Sequence, residues 1–278
     1  MQAASPSLAH DLLRAPGATP TGIFVFVHGI LGTRANWRGL ARRVVKARPE
    51  VAALCVDLPM HGDSQGHAPP HGVEPSAEAL AALCTEQELP VRAMLGHSFG
   101  GKVVLAAREG ASVFADLDEL WVVDSPPGVR SDGAQSDSAR VIQMLGTLAA
   151  RFAERADFVA EVMARGHSSE LAHWLAMNLR RGDAGDYGLE LDLAAIDAML
   201  TDYFHTDAWP WLESAAHPGA THFIRGGRSQ VYAPGEVDRL AELAQAGALS
   251  LHVVKPAGHW VHAEAPDAVF ELLTGART

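Results

Sequence analysis

Two cysteines, Cys55 and Cys84, are all that the 278 residues contain, and both lie in apolar surroundings. That argues against a disulfide framework and fits a reducing, cytoplasmic setting. No run of about 18 apolar residues occurs, so no membrane span is expected. The first residues lack a basic stretch followed by an apolar one, so no secretory signal is expected either. No Lys/Arg run offsets the net charge of −11, which argues against binding to a nucleic-acid backbone. The 14 histidines are scattered, with no zinc-type cysteine pairing and no His-Glu-x-x-His. No metal and no cofactor is therefore expected. Internal repeats and low-complexity linkers are also missing.

What remains is a chain able to bury a large core, 48% hydrophobic and 20% charged. Ile23-Phe24-Val25-Phe26-Val27 is a continuous β-branched and aromatic run, as in a strand covered on both faces. Val51–Val56, Val91–Leu95, Leu120–Val123, Ala220–Ile224 and Leu249–Val254 read the same way. Trp37, Leu40, Ala41, Val44 and Val45 recur at helical spacing. Further helices are expected from Pro75 to Leu83, from Lys102 to Arg108, over about 235–245 and over about 266–273. Residues 1–20 read as mostly irregular, with room for one short strand near Leu8–Leu13. The alternation of strand and helix predicts a doubly wound, mostly parallel sheet with helices on both faces. Ligands of such sheets bind beyond the carboxyl ends of the strands, where His28, Asp57, Ser98 and Asp124 all fall.

The alternation stops between Ser131 and His217, where no strand is evident. Val141, Leu145, Leu148 and Phe152 suggest one helical stripe; Leu171, Trp174, Leu175 and Leu179 a second; Leu193, Ile196, Leu200, Tyr203 and Phe204 a third. Arg181–Gly188 reads as a loop. The expectation is a core of residues 1–130 and 218–278, with a helical cap, 131–217, inserted in it.

Gly96-His97-Ser98-Phe99-Gly100 joins an expected strand to an expected helix and has the G-x-S-x-G pattern of a nucleophile elbow. Such a turn lifts its serine above the sheet, and its glycines let strand and helix pack closely. A serine hydroxyl needs a base, and the base needs an acid to fix its tautomer. His259, on a Gly-His turn after the last strand, is the candidate base. His262 reads as structural, and His97 and His28 as supporting residues. An oxyanion needs fixed donors. The backbone N–H of Phe99 is one candidate; Ile30, just past His28-Gly29, is the other, with Leu31 as its alternative.

These residues resemble the α/β-hydrolase superfamily. His28-Gly29-x-x-Gly32, Asp57-x-Pro59-x-His61-Gly62-x-Ser64, Gly96-His97-Ser98-x-Gly100-Gly101 and Gly258-His259 are its marks, in their usual order. Gly100-Gly101-Lys102 and the stretch from Ala257 to Glu264 resemble, more narrowly, small bacterial esterases of the YbfF type and their ABHD11-like relatives. The resemblance implies an α/β-hydrolase fold and a Ser-His-acid triad. In many relatives the acid follows the penultimate strand, but here Gly226-Gly227-Arg228-Ser229 puts a serine at that place. The resemblance to the subgroup places the acid instead at Asp124, after the strand that follows the elbow, and Ser229→Ala is expected to do little. Asp57 and Asp63 read as turn-ordering residues.

The function implied is hydrolysis of carboxylic esters, or thioesters, through an acyl-enzyme on Ser98, His259 and Asp124, with a small-molecule substrate. A cofactor-free perhydrolase or a C–C bond hydrolase could use the same triad. A non-catalytic ligand-binding member is the third reading. Haloalkane dehalogenases and epoxide hydrolases need a carboxylate where Ser98 stands. Oligomeric state has no signature in the sequence.

Overall fold

The computed structural model describes residues 6–213 and 220–275. In chain order its strands and helices begin with β1 (His10–Leu13), β2 (Gly22–Val27), α1 (Arg38–Ala47), β3 (Val51–Val56) and α2 (Val73–Thr85). Next come β4 (Val91–His97), α3 (Phe99–Gly110) and β5 (Glu119–Val123). The interrupting segment carries α4 (Asp137–Leu145), β6 (Arg151–Phe152), α5 (Arg155–Ala164), α6 (Ser169–Leu175), β7 (Leu179–Arg181), β8 (Tyr187–Leu189), α7 (Leu193–His205) and α8 (Trp209–Glu213). The chain then returns to the sheet with β9 (Ala220–Gly226), α9 (Glu236–Gln245), β10 (Ser250–Val254), α10 (Val261–Glu264) and α11 (Pro266–Thr274).

Seven strands form one sheet in the order β1-β3-β2-β4-β5-β9-β10. All pairs are parallel except the edge pair β1–β3. The short strand near the start is thus real, and antiparallel. The central strands are buried on both sides, which is why they read as unbroken apolar runs. Alternate residues feed two cores. Ile23, Val25, Val27 and Met94 pack with Val73, Leu80, Val104 and Leu105 under α2 and α3. Phe24, Phe26, Ala93 and Leu95 pack with Leu40, Val44, Val269 and Leu273 under α1 and α11. The register aligns the carboxyl ends: Val27 pairs with Val56 and Gly96, His97 with Val123, and Val123 with Ile224. The loops that follow these strands therefore gather at one edge.

The segment after residue 130 differs from its reading in one respect. Besides helices it holds a second, three-stranded antiparallel sheet, β6-β8-β7. Arg181–Gly188, expected as a loop, is the end of β7, a turn through Gly182 and Gly185, and the start of β8. Leu148 and Phe152 do not continue the stripe of α4, nor Leu179 that of α6; Phe152 and Leu179 are strand residues. Strands of two or three residues are too short to show a period of two, so the apolar spacing mimics a helix. The expected end of the segment at His217 lies outside the described residues.

Candidate active site

The elbow is built by close approach. β4 runs on to His97, two residues past the expected end, and α3 starts at Phe99. Ser98 between them has φ 52° and ψ −118°, a conformation costing about 1–3 kcal/mol outside glycine. Its N–H donates to the Val123 carbonyl (2.9 Å), and its own carbonyl accepts from Gly101 N–H (2.8 Å). A Cβ at Gly96 would lie 2.0 Å from the Gly100 carbonyl oxygen, and one at Gly100 would lie 2.4 Å from that of His28. Only glycine fits at either place. Leu31, Met60 and Asp124 also have positive φ, and all three lie in loops at the same sheet edge as Ser98.

His259, on the turn after β10, faces both neighbours that the sequence proposes for it. Its Nε2 is 3.1 Å from Ser98 Oγ, and its Nδ1 is 2.8 Å from Asp124 Oδ2. A carboxylate only accepts, so the proton sits on Nδ1 and the Nε2 lone pair faces the Ser98 hydroxyl. Asp124 is fully buried. Two further donors compensate its charge: Gly226 N–H to Oδ1 (2.9 Å) and Ser229 Oγ–H to Oδ2 (2.5 Å). Ser229, after β9, thus donates to the carboxylate that ends the neighbouring strand β5. The serine at 229 was the one sequence signal for this donor.

The turn bearing His259 is held from two sides. His97 Nε2–H donates to the His259 carbonyl (2.9 Å). Glu264 accepts from the N–H groups of Gly258 (2.8 Å) and Trp260 (3.3 Å). His262 lies between Trp37 and His97, tilted against the first and edge-on to the second, with ring centroids 4.5 Å from each. Burial holds the His97 imidazolium far below its usual range and that of His262 at about 3, so both are neutral.

On the other side of Ser98, the loop after β2 comes close: a Cβ at Gly29 would lie 3.1 Å from Ser98 Cβ. Ile30 follows at once. Among the described residues neither Ile30 N–H nor Phe99 N–H has an acceptor within the chain. Leu31 N–H is committed, because it donates to His61 Nε2 (3.0 Å). The exchange is reciprocal: Leu58 N–H donates to His28 Nε2 (3.0 Å). Each ring then donates Nδ1–H to a carbonyl, Gly29 for His28 (2.7 Å) and Pro59 for His61 (2.9 Å). Burial lowers His28 to about 4 and His61 to about 3, so both clamp as neutral rings. Asp57 receives Arg34 N–H (2.6 Å), Asp63 N–H (2.9 Å) and the Arg34 guanidinium. It orders the turn and lies apart from His259, as does Asp63, which pairs with Arg34 and Arg180.

The interrupting segment supplies neighbours that the sequence did not single out for the site. Asn178 Nδ2 donates to the Leu31 carbonyl (2.9 Å). The Trp174 ring lies 6.2 Å from that of Trp260, which is 5.8 Å from His259. Tyr203 packs 5.9 Å from Phe99. Apolar spacing identified Trp174 and Tyr203 as stripe residues but carried nothing about which loop they would meet. Among the described residues no cluster of three or more His, Cys, Asp or Glu side chains is placed to hold a metal ion.

The arrangement can be set beside known proteins. Residues 24–272 match the model of the alpha/beta hydrolase family. The chain is 28% identical over 288 residues to the mouse (Mus musculus) sn-1-specific diacylglycerol lipase ABHD11, covering 96% of this chain and 84% of that protein. It is 29% identical over 250 residues to esterase YbfF of Escherichia coli, covering 90% of each. Among solved structures, a marine microorganism esterase superposes with a TM-score of 0.78 at 20% identity, over 96% of this chain and 97% of that one.

Proposed function

The chain belongs to the alpha/beta hydrolase family, and on that premise we propose that it is a serine esterase acting through an acyl-enzyme. One observation carries the reading: the unbroken run Ser98 Oγ, His259 Nε2, His259 Nδ1, Asp124 Oδ2, with gaps of 3.1 and 2.8 Å. Ser98 Oγ attacks the ester carbonyl carbon as His259 Nε2 takes its proton. Asp124 stabilises the imidazolium that forms. The free N–H groups of Ile30, in the loop after β2, and of Phe99, at the amino end of α3, receive the oxyanion. Collapse breaks the bond to the alcohol, which leaves with the proton from His259. Water then attacks the acyl carbonyl with His259 again as base, and the carboxylic acid is released.

The substrate is a small carboxylic ester, and thioesters suit the same groups. Residues 131–217 act as a cap over the core in this reading, with Trp174, Asn178 and Tyr203 turned toward its loops. The names of the relatives, a lipase and an esterase, support the same chemistry. A panel of p-nitrophenyl esters and acyl-CoA thioesters tests the proposal. The expected result is ester turnover that Ser98→Ala abolishes. Equal turnover by Ser98→Ala, or none by the folded wild type on any member of the panel, would contradict it.

A further inference from the structure

A buried lysine lies four residues past Ser98 and takes no part in the chemistry above. Lys102, on α3, is 1% exposed. Its Nζ donates to three backbone carbonyls: Gly128 (2.8 Å), Tyr203 (2.9 Å) and Thr206 (2.7 Å). Three acceptors use all the N–H groups of an ammonium. Nζ also lies 4.5 Å from the centroid of the Tyr203 ring. Among the described residues no carboxylate pairs with it. The charged groups that bear on it are Glu236 on α9, Asp202 on α7, Asp207 beyond α7, and Arg130. Burial lowers its pKa to about 8, which leaves it charged at neutral pH.

The three carbonyls come from two places. Those of Tyr203 and Thr206 close the carboxyl end of α7, where a cation offsets unpaired carbonyls and the helix dipole. That of Gly128 ends the short segment that begins at Asp124, and Gly128 N–H is held in turn by Glu236 (2.7 Å). One ammonium therefore ties the elbow helix, the acid's own loop and the last long helix of the interrupting segment. Tyr203 extends the link: its hydroxyl lies 3.4 Å from Ser125 Oγ, beside Asp124, and its ring packs on Phe99.

We propose that Lys102 is a positioning residue, fixing α7 and Tyr203 against the elbow and so setting how firmly substrate is held. The proposal rests on the esterase reading for its kinetic consequence only. Asp124 keeps its three donors from Gly226, Ser229 and His259 without Lys102. Loss of the ammonium therefore acts on KM more than on kcat.

Lys102→Met keeps the apolar stem and removes the donors. With p-nitrophenyl octanoate, KM is expected to rise about tenfold while kcat stays within about threefold. Amide exchange should quicken in α7 while β4 and β5 keep their protection. Unchanged KM together with unchanged α7 protection would overturn the proposal. Should that variant not fold, the wild type decides. Lys46, Lys102 and Lys255 are the only lysines, so 15N-lysine NMR resolves three ammonium groups. Lys102 should give the one ammonium signal that persists at pH 7. Exchange as fast as at the other two would overturn the proposal. Absence of ester turnover in the wild type would remove the esterase reading and leave the exchange and NMR results to judge Lys102.

Discussion

The loops at the carboxyl edge of the sheet hold one another through buried polar groups, whereas the segment after residue 130 meets that edge through apolar packing and few hydrogen bonds. In the first region His28 and His61 each accept a backbone N–H from the other's loop, and Asp57 and Asp124 each accept from three donor groups. In the second, the hydrogen bonds from residues 174–180 to that edge are Asn178 to the Leu31 carbonyl, Arg180 to Asp63 and a weak Asn36–Met177 contact at 3.5 Å. Its other end is better tied, by Lys102 and by main-chain bonds from Arg130 to Phe204 and from Ala208 to Pro127 (2.8 Å each). Buried polar groups demand specific partners, because an unsatisfied one costs about 1–3 kcal/mol. The edge loops therefore tolerate little change. The segment after residue 130 leans on fewer such groups and tolerates more change.

Four substitutions or conditions sharpen that contrast. Asp124→Asn should have the largest effect, lowering kcat by about 10⁴ in a folded protein, since an amide cannot stabilise the imidazolium or fix its tautomer. Steady-state kinetics with a circular dichroism control measures it, and near-wild-type turnover would move the acid elsewhere. Acid pH comes second. His28 and His61 bind protons less readily folded, at about 4 and 3, than unfolded, at about 6.5. The unfolded chain therefore takes up more protons below pH 6.5, and stability falls as pH drops from there toward 4. The slope is roughly 1.4 kcal/mol per pH unit for each ring. Urea titrations at pH 7.0, 6.0 and 5.0 should show the decline, and a flat midpoint would refute the neutral clamp.

Ser229→Ala should lower kcat about tenfold with little change in KM, the cost of one hydrogen bond to a buried charge. The sequence reading expected little effect there, and the bond to Asp124 revises it. Arg180→Ala should matter least. Its pair with Asp63 is half-exposed, so thermal denaturation should register less than about 0.5 kcal/mol.

The order of these effects follows what was legible in the sequence. Strands that are buried on both faces announce themselves as apolar runs, and the elbow needs glycines that only close packing explains. Ser98 and His259 stood out as candidates because each follows such a strand or turn, while Asp124 came from the resemblance to the esterase subgroup, with the serine at 229 pointing away from the other position. The sequence put Ile30 ahead of Leu31 but could not show that His61 takes the Leu31 N–H, a contact across 30 residues. The sheet β6-β8-β7 escaped because its strands are too short to carry a period. Lys102 was visible as part of a motif, but its three carbonyl partners are set by where α7 ends in space, which no local pattern encodes.

The central claim is that Ser98 is a nucleophile activated by His259. It is tested most directly by intact mass after treatment with a fluorophosphonate. One adduct per chain is expected, mapped to Ser98 and absent in Ser98→Ala. A folded wild-type protein that stays unlabelled, or a Ser98→Ala variant that still gains the adduct, would contradict it.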